Sequence, residues 1–181
     1  MNFKELIEAR YSVRAYSERE VEDEKLALVL EAARLAPTAA NRQPFRVVVV
    51  RDAEARQAMS EAYSRKWFYT APVIIAVCGV AGESWVRSDH TNYNLADCAI
   101  VMDHIILQAW DLGLGSCWIA DFKPEPVRRI LQLPPGVEPV LLTPLGYAAD
   151  EPRSKRRKAT KELVYWESMA IEPGGSAAPE S

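Results

Sequence analysis

The sequence is poor in the residues that metal centres and disulfide frameworks need. Its 181 residues include only three cysteines and two histidines. The cysteines, Cys78, Cys98 and Cys117, are widely spaced within apolar runs and form none of the close pairs that zinc sites use. We therefore predict no metal site, and we interpret the cysteines as buried, reduced thiols that pack in a core.

The chain also lacks an apolar run of the roughly 18 residues that a membrane span takes. Its N-terminus carries no hydrophobic segment of the signal-peptide type. A formal charge of −3 offers no bulk attraction to nucleic acid or to an anionic membrane. These absences predict a cytoplasmic protein that binds neither membranes nor nucleic acid.

Familiar nucleotide and hydrolase signatures are missing as well. Residues 113–118, Gly-Leu-Gly-Ser-Cys-Trp, lack the third glycine of the dinucleotide-binding pattern and end a predicted helix, whereas that pattern opens one. No phosphate-binding loop with its lysine and no nucleophile elbow occurs. The sequence therefore gives no support to a Rossmann site.

Alternating helix and strand patterns predict α/β or α+β organisation in one domain, residues 1–170. Strands are predicted at 45–50, 72–79, 116–120 and 140–147, and helices at 23–36, 53–66, 92–112 and 125–132. The segment 171–181 is rich in Pro, Gly, Ala and Ser, and we predict that it is disordered.

The predicted helix at 92–112 is apolar on most of its sides, with Leu95, Ile100, Ile105 and Trp110 on different faces. Such a helix must be covered nearly all round. It therefore lies either at the centre of the domain or across a subunit interface, and the sequence leaves both placements open.

The first motif with chemical content is residues 10–14, Arg-Tyr-Ser-Val-Arg. In an extended segment alternate side chains point to the same side, so Arg10, Ser12 and Arg14 would share one face. Forked guanidinium donors with a hydroxyl suit a phosphate or a carboxylate. The alternative is that the arginines are solvated and complement the end of a preceding helix.

Two further segments carry polar groups that could serve a ligand. Residues 36–45 combine small side chains with Asn41 and Gln43, and could approach a flat heteroaromatic edge, although an ordinary helix-to-strand connection has the same composition. Residues 155–157, Lys-Arg-Arg, again place cations two apart. Their alternatives are a solvated basic tail and, more weakly, a nucleic-acid contact.

Taken in order, these motifs and the segment Leu-Gly-Leu-Gly-Ser-Cys-Trp-Ile at 112–119 resemble the nitroreductase family of flavin mononucleotide (FMN) enzymes. The resemblance covers roughly residues 2–166, and short bacterial and archaeal members are the most similar. It implies an α+β, nitroreductase-like fold with a central, mainly antiparallel sheet surrounded by helices. It also implies an intertwined homodimer with two FMN sites at the interface, where the long apolar helix forms much of the dimer core.

The resemblance further implies which residues bind the cofactor. Arg10 and Ser12 would grip the FMN phosphate. Lys155 and Arg157 would join them, while Arg14 would face the pyrimidine end and tune the reduced flavin. The second subunit would supply the 36–45 loop. The expected cofactor-binding residues are Arg10, Tyr11, Ser12, Arg14, Pro37, Thr38, Ala39, Asn41, Gln43, Cys117, Trp118, Ile119, Ala120, Lys155 and Arg157.

The implied activity is that of an oxidoreductase. Hydride would pass from NAD(P)H to flavin N5, and a small acceptor such as a nitroaromatic or a quinone would then be reduced in a ping-pong mechanism. No catalytic side-chain base is needed, because the chemistry belongs to the flavin. The alternative function is a non-catalytic protein that binds FMN to store or sense it.

Overall fold

The structure, a computed structural model, describes residues 1–152 and 154–169. Its strands are β1 (Phe45–Val50), β2 (Val73–Val80), β3 (Gly115–Ser116) and β4 (Val137–Gly146). They form one sheet in the order β1-β2-β4-β3, in which all three strand pairs are antiparallel. The tail predicted at 171–181 lies outside the described residues, and the single domain at 1–170 stays a prediction.

Helices cover both faces of this sheet. They are α1 (Phe3–Ala9), α2 (Asp23–Leu35), α3 (Ala53–Ala58), α4 (Lys66–Tyr69), α5 (Asn94–Asp111) and α6 (Pro124–Ile130). The helices α2 and α5 pack on one face, and α3, α4 and α6 pack on the other. The architecture is thus the α+β type with an antiparallel sheet that the sequence predicts.

The central strand β2 is apolar throughout because it separates two cores. Every residue of Val73–Gly79 is buried. The side chains of Ile75 and Val77 enter the core under α2 and α5, whereas Ile74 and Ala76 enter the opposite core. A strand that is covered on both faces has no polar side to present, which explains its continuous hydrophobic run.

The strand predicted at 116–120 is wrong beyond its first residue. The backbone N–H of Cys117 donates to the side-chain Oγ1 of Thr143 at 3.2 Å instead of to a backbone carbonyl of β4. Pairing resumes at Ile119, which exchanges two 2.9 Å hydrogen bonds with Leu142. A single side chain therefore interrupts the ladder and leaves β3 with two residues.

The helix predicted at 53–66 is also wrong in its second half. The helix α3 ends at Ala58, a 3-10 turn follows at Met59–Glu61, and α4 begins only at Lys66. Met59 and Phe68 are both fully buried in the same core. A bend between them brings both side chains inward.

The helix α5 packs against the centre of the sheet, yet one of its sides is not covered by the rest of this chain. Cys98, Met102 and Ile105 are fully buried against the sheet and α2. Leu95 and Ile100, by contrast, are 65% and 37% exposed. None of the helices in the described part of the chain has both the length and the apolar character that crossing a bilayer takes.

All three cysteines are buried free thiols, which confirms their predicted state. Burial raises the pKa of Cys78 to about 11 and that of Cys98 to about 12. Thiols of this kind stay protonated at neutral pH and are poor nucleophiles. Among the described residues, no group of three or more His, Cys, Asp or Glu is arranged to hold a metal ion.

Candidate functional site

Residues 10–14 run as an extended segment beside β3. Ser12 pairs with Ser116 in a parallel bridge, and the backbone N–H of Val13 donates to the Ser116 carbonyl at 2.9 Å. Tyr11 and Val13 are buried, whereas the three alternate residues are more exposed and line a common cavity. The segment therefore has the alternation that a shared polar face requires.

Asp150 holds this segment in place. The Tyr11 hydroxyl donates to the Asp150 carbonyl at 2.6 Å, and the backbone N–H of Arg14 donates to Asp150 Oδ2 at 2.9 Å. The Tyr11 ring also meets Trp110 of α5 edge-on, at 5.2 Å between centroids. Burial and the nearby Asp150 raise the pKa of Tyr11, so its hydroxyl stays a donor. Sequence reasoning missed Asp150, because it lies more than 130 positions from its partners.

A cavity of about 260 Å³ lies where the motif at residues 10–14 meets the basic motif at residues 155–157. Five of its lining side chains are cationic and two are acidic, in a chain whose net charge is −3. Local positive charge of this kind is the setting that proteins use for phosphate. The lining residues are Arg10, Tyr11, Ser12, Arg14, Asp150, Glu151, Ser154, Lys155, Arg156 and Arg157.

The cations of this cavity crowd one another. Partial desolvation lowers the pKa of Lys155, and the positive charges of Arg10 and Arg157 lower it further. The Lys155 ammonium donates to the carbonyl of Arg10 at 2.7 Å and also to the carbonyl of Glu8. A bound anion would relieve this mutual repulsion, since an opposite charge nearby favours the charged form of each base.

The predicted segment 117–120 lies alongside the same motif. Cys117 and Ile119 point into the protein and are buried, while Trp118 is 38% exposed and Ala120 is exposed. Burial raises the pKa of the Cys117 thiol, and the neighbouring Arg14, together with other residues of the 10–14 segment, opposes that rise. The outward side of segment 117–120 is therefore open next to the cationic cavity.

The 36–45 loop lies far from this cavity in the fold, near the opposite end of α5. The backbone N–H of Ala39 donates to Asp97 near the start of α5, whereas Tyr11 contacts Trp110 near its end. Thirteen residues of helix separate the two contacts by about 20 Å. A single chain thus does not bring the predicted loop residues to the cavity; these are Pro37, Thr38, Ala39, Asn41 and Gln43.

The loop adopts an uncommon backbone conformation. Ala40, Asn41 and Gln43 have φ values of 51°, 52° and 52°, in the left-handed region that residues other than glycine seldom occupy. The backbone N–H of Gln43 donates to Thr38 Oγ1 at 3.0 Å, and its side-chain Nε2 donates to the Asn41 carbonyl at 3.2 Å. Strain of this kind in an exposed segment is typical of binding loops.

Known proteins share this sequence and architecture. The sequence profile of the Nitroreductase family matches residues 7–65 and 59–147. A nitroreductase family protein of Clostridium difficile 630 is 40% identical in its solved structure. The superposition covers 93% of this chain and 100% of the Clostridium difficile chain, with a TM-score of 0.87.

Two curated relatives extend the comparison. A protein of Archaeoglobus fulgidus, whose name proposes NADH dehydrogenase or NAD(P)H nitroreductase activity, is 34% identical over 157 residues, or 81% of this chain and 85% of its own. The FMN reductase (NAD(P)H) of Bacillus subtilis is 28% identical over 174 residues, or 87% of this chain and 70% of its own. These matches confirm the resemblance drawn from the motifs and the fold that it implied: the chain belongs to the nitroreductase family.

Proposed function

We propose that the protein is an NAD(P)H-dependent oxidoreductase that binds FMN and works as a homodimer. The observation that carries the proposal is the cationic cavity where residues 10–14 meet residues 154–157. The Bacillus subtilis relative, which is named as an FMN reductase that uses NAD(P)H, supports both the cofactor and the electron donor.

The residues present fit the phosphate end of FMN. Arg10, Lys155 and Arg157 bring positive charges close enough together to shift the pKa of the lysine. Ser12 adds a hydroxyl on the same side of the segment. The extended stretch from residue 10 to residue 14 spans about 13 Å, which is the scale of FMN from phosphate to ring rather than that of a phosphate alone.

The other site residues would orient the cofactor and shape its surroundings. When bound, FMN would supply the redox chemistry, in which its N5 accepts a hydride from NAD(P)H and a small acceptor such as a nitroaromatic or a quinone is reduced in turn, by a ping-pong mechanism. Arg14 would favour negative charge at the pyrimidine end. Its backbone is fixed by Asp150. The exposed edge at Trp118 and Ala120 would border the ring.

An uncovered apolar surface on α1, α2 and α5 supports the homodimer. A groove of about 440 Å³ joins the three helices and is lined by Phe3, Leu6, Ala32 and Leu107 among others. Contiguous apolar surface of this kind marks protein interfaces. A second copy would cover it and would bring its own 36–45 loop to the cavity. The exposed apolar residues of these helices and their flanks are Met1, Phe3, Ile7, Leu28, Leu35, Leu95 and Ile100.

The visible spectrum of the purified protein tests the cofactor assignment. We expect a yellow protein, or a colourless one that takes up added FMN to one molecule per chain in a fluorescence-quenching titration. A colourless preparation that takes up no FMN would contradict the proposal.

A further inference from the structure

We propose that Asp97 is a positioning residue, which holds the 36–45 loop in the conformation that meets the cofactor; this role rests on the proposed function. Asp97 lies in the first turn of α5 and is 1% exposed. Its Oδ1 accepts a hydrogen bond from the backbone N–H of Ala39 at 2.8 Å. The carboxylate therefore ties the loop directly to the longest helix of the fold.

The C-terminal end of the loop is anchored without Asp97, because the Pro44 carbonyl accepts from the Asn94 side chain of α5 and from the Val80 N–H of β2, each at 2.9 Å. Among the described residues, the middle of the loop, residues 38–42, has no such hold apart from Asp97. In the described part of the chain, the other hydrogen bonds of residues 38–42 close within the loop: Asn41 and Arg42 donate back to Thr38 and Ala39, and Gln43 donates to Thr38 and Asn41. Three of its residues are in the left-handed region without being glycine. A backbone in this state relaxes unless its surroundings fix it.

The second oxygen of Asp97 indicates that packing alone does not explain this residue. Oδ2 is buried and has no hydrogen-bond partner among the described residues. A buried acceptor without a donor destabilises the fold, and an apolar side chain would avoid that cost. A carboxylate, however, forms a shorter and stronger bond to an N–H group. Its position in the first turn of α5 is also favourable for negative charge.

The test compares two substitutions of Asp97 with a matched core control. Asp97→Ala removes the acceptor, and Asp97→Asn keeps one oxygen for Ala39 without the charge. Val101→Ala destabilises the same helix by removing fully buried methyl groups and lies one turn further from the loop. The exposed Arg42 supplies a local reporter, because trypsin cleaves after arginine only where the backbone opens.

We expect Asp97→Ala to raise both the rate of cleavage after Arg42 in FMN-free protein and the Kd for FMN by about tenfold or more, as the loss of one charge-assisted hydrogen bond does. Asp97→Asn should fall between Asp97→Ala and the wild type. Val101→Ala should leave both quantities within about twofold of the wild type at temperatures where it stays folded.

Either of two results would overturn the role of Asp97 and leave the proposed function standing. One is cleavage after Arg42 in Asp97→Ala that is no faster than in Val101→Ala. The other is a wild-type Kd for FMN in Asp97→Ala. Failure of the wild-type chain to bind FMN at all would instead reject the proposed function, and the role of Asp97 with it.

Discussion

Arg10 and Arg14 lie on the same side of one extended segment but have different surroundings. Arg10 is half-buried, and its positive charge acts on Lys155 in the group of cations that includes Arg157. Arg14 is exposed, and its backbone N–H is held by Asp150. We infer that the first arginine serves the phosphate and the second serves the redox end of the ligand.

Substitution of each arginine should separate these roles. Arg10→Ala should raise the Kd for FMN by about 10- to 100-fold, the loss expected for hydrogen bonds to a charged group. Arg14→Ala should chiefly slow flavin reduction by NAD(P)H, which stopped-flow absorbance measures at saturating FMN. Arg129→Ala, which removes only a surface ion pair with Glu61, is the matched control and should change neither quantity. Equal loss of FMN in both site variants would contradict the division of roles.

At the scale of single residues, local patterns revealed the outward face of 10–14 but not the residues that hold it. Alternation alone predicts that Arg10, Ser12 and Arg14 lie together. Asp97 and Asp150 carry no such signal, because each is one acidic residue whose partners lie 58 or more positions away. Their roles depend on tertiary contacts that no local spacing encodes.

At the scale of elements, Gly115 allows the 10–14 segment to pack on β3. A Cβ on Gly115 would lie 2.6 Å from Cγ2 of Val13 and 2.9 Å from its Cβ. Val13 is fully buried and cannot move outward without displacing the residues on either side of it. The glycine therefore sets the distance between the strand and the candidate site.

Gly115→Ala should lower the free energy of unfolding by about 1–3 kcal/mol, the usual effect of overpacking a core. Because Val13 lies between Ser12 and Arg14, the same variant should also weaken FMN binding. Urea denaturation and an FMN titration measure the two effects. Gly82→Ala, where a Cβ meets nothing within 4 Å, is the control and should change neither. A Gly115→Ala protein as stable as the wild type would contradict this account of the strand contact.

A polar network joins the start of α2 to the ends of β4 and α5. The Tyr147 hydroxyl lies 2.7 and 2.9 Å from the two carboxylate oxygens of Glu22. Lys25 Nζ donates to that hydroxyl at 2.9 Å and to the carbonyl of Leu112 at 2.8 Å. The bond from Tyr147 is the main reason why the pKa of Glu22 falls to about 2.

This lowered pKa predicts a specific dependence of stability on pH. Glu22 ionises more readily in the folded state, so its contribution is complete above its ordinary pKa of 4.5 and is lost as the pH falls from there toward 2. Tyr147→Phe should be less stable than the wild type at pH 7, and the difference should shrink as the pH approaches 2. Thermal unfolding at several pH values measures it, with Tyr63→Phe as a control outside the network. Parallel curves for Tyr147→Phe and the wild type would rule the network out.

The elements that the sequence predicts well are those with strong local signals. The strand β1 begins and ends at the predicted residues, and α5 lies within the predicted helix at 92–112. The short β3 could not be foreseen, since its end depends on the side chain of Thr143, 26 positions away. The break between α3 and α4 likewise depends on where Met59 and Phe68 meet the core.

At the scale of the whole molecule, the separation of loop and cavity is the reason why the proposed FMN site needs a second chain. The two lie about 20 Å apart along α5, measured by the helical rise between Asp97 and Trp110. The apolar surface beside α5 is open to a second copy of the chain. We expect each FMN to lie between a cavity of one chain and a loop of the other.

Ile100→Asp should therefore break the dimer and abolish FMN binding together. Ile100 is 37% exposed on α5, and a carboxylate there would be buried without a partner in the interface. Sedimentation velocity should show twice the chain mass for the wild type and the single chain for the variant. Gln57→Asp adds the same charge on α3, which packs on the opposite face of the sheet, and should stay dimeric. A monomeric wild type that binds FMN tightly would contradict the two-chain site.

The most direct test of the central claim is anaerobic titration of the FMN-loaded dimer with NADH and with NADPH. We predict that one equivalent of at least one nicotinamide bleaches the flavin absorbance, and that a quinone or a nitroaromatic then restores it. A yellow protein that neither nicotinamide bleaches would contradict the assignment as an oxidoreductase and would favour a protein that stores or senses FMN.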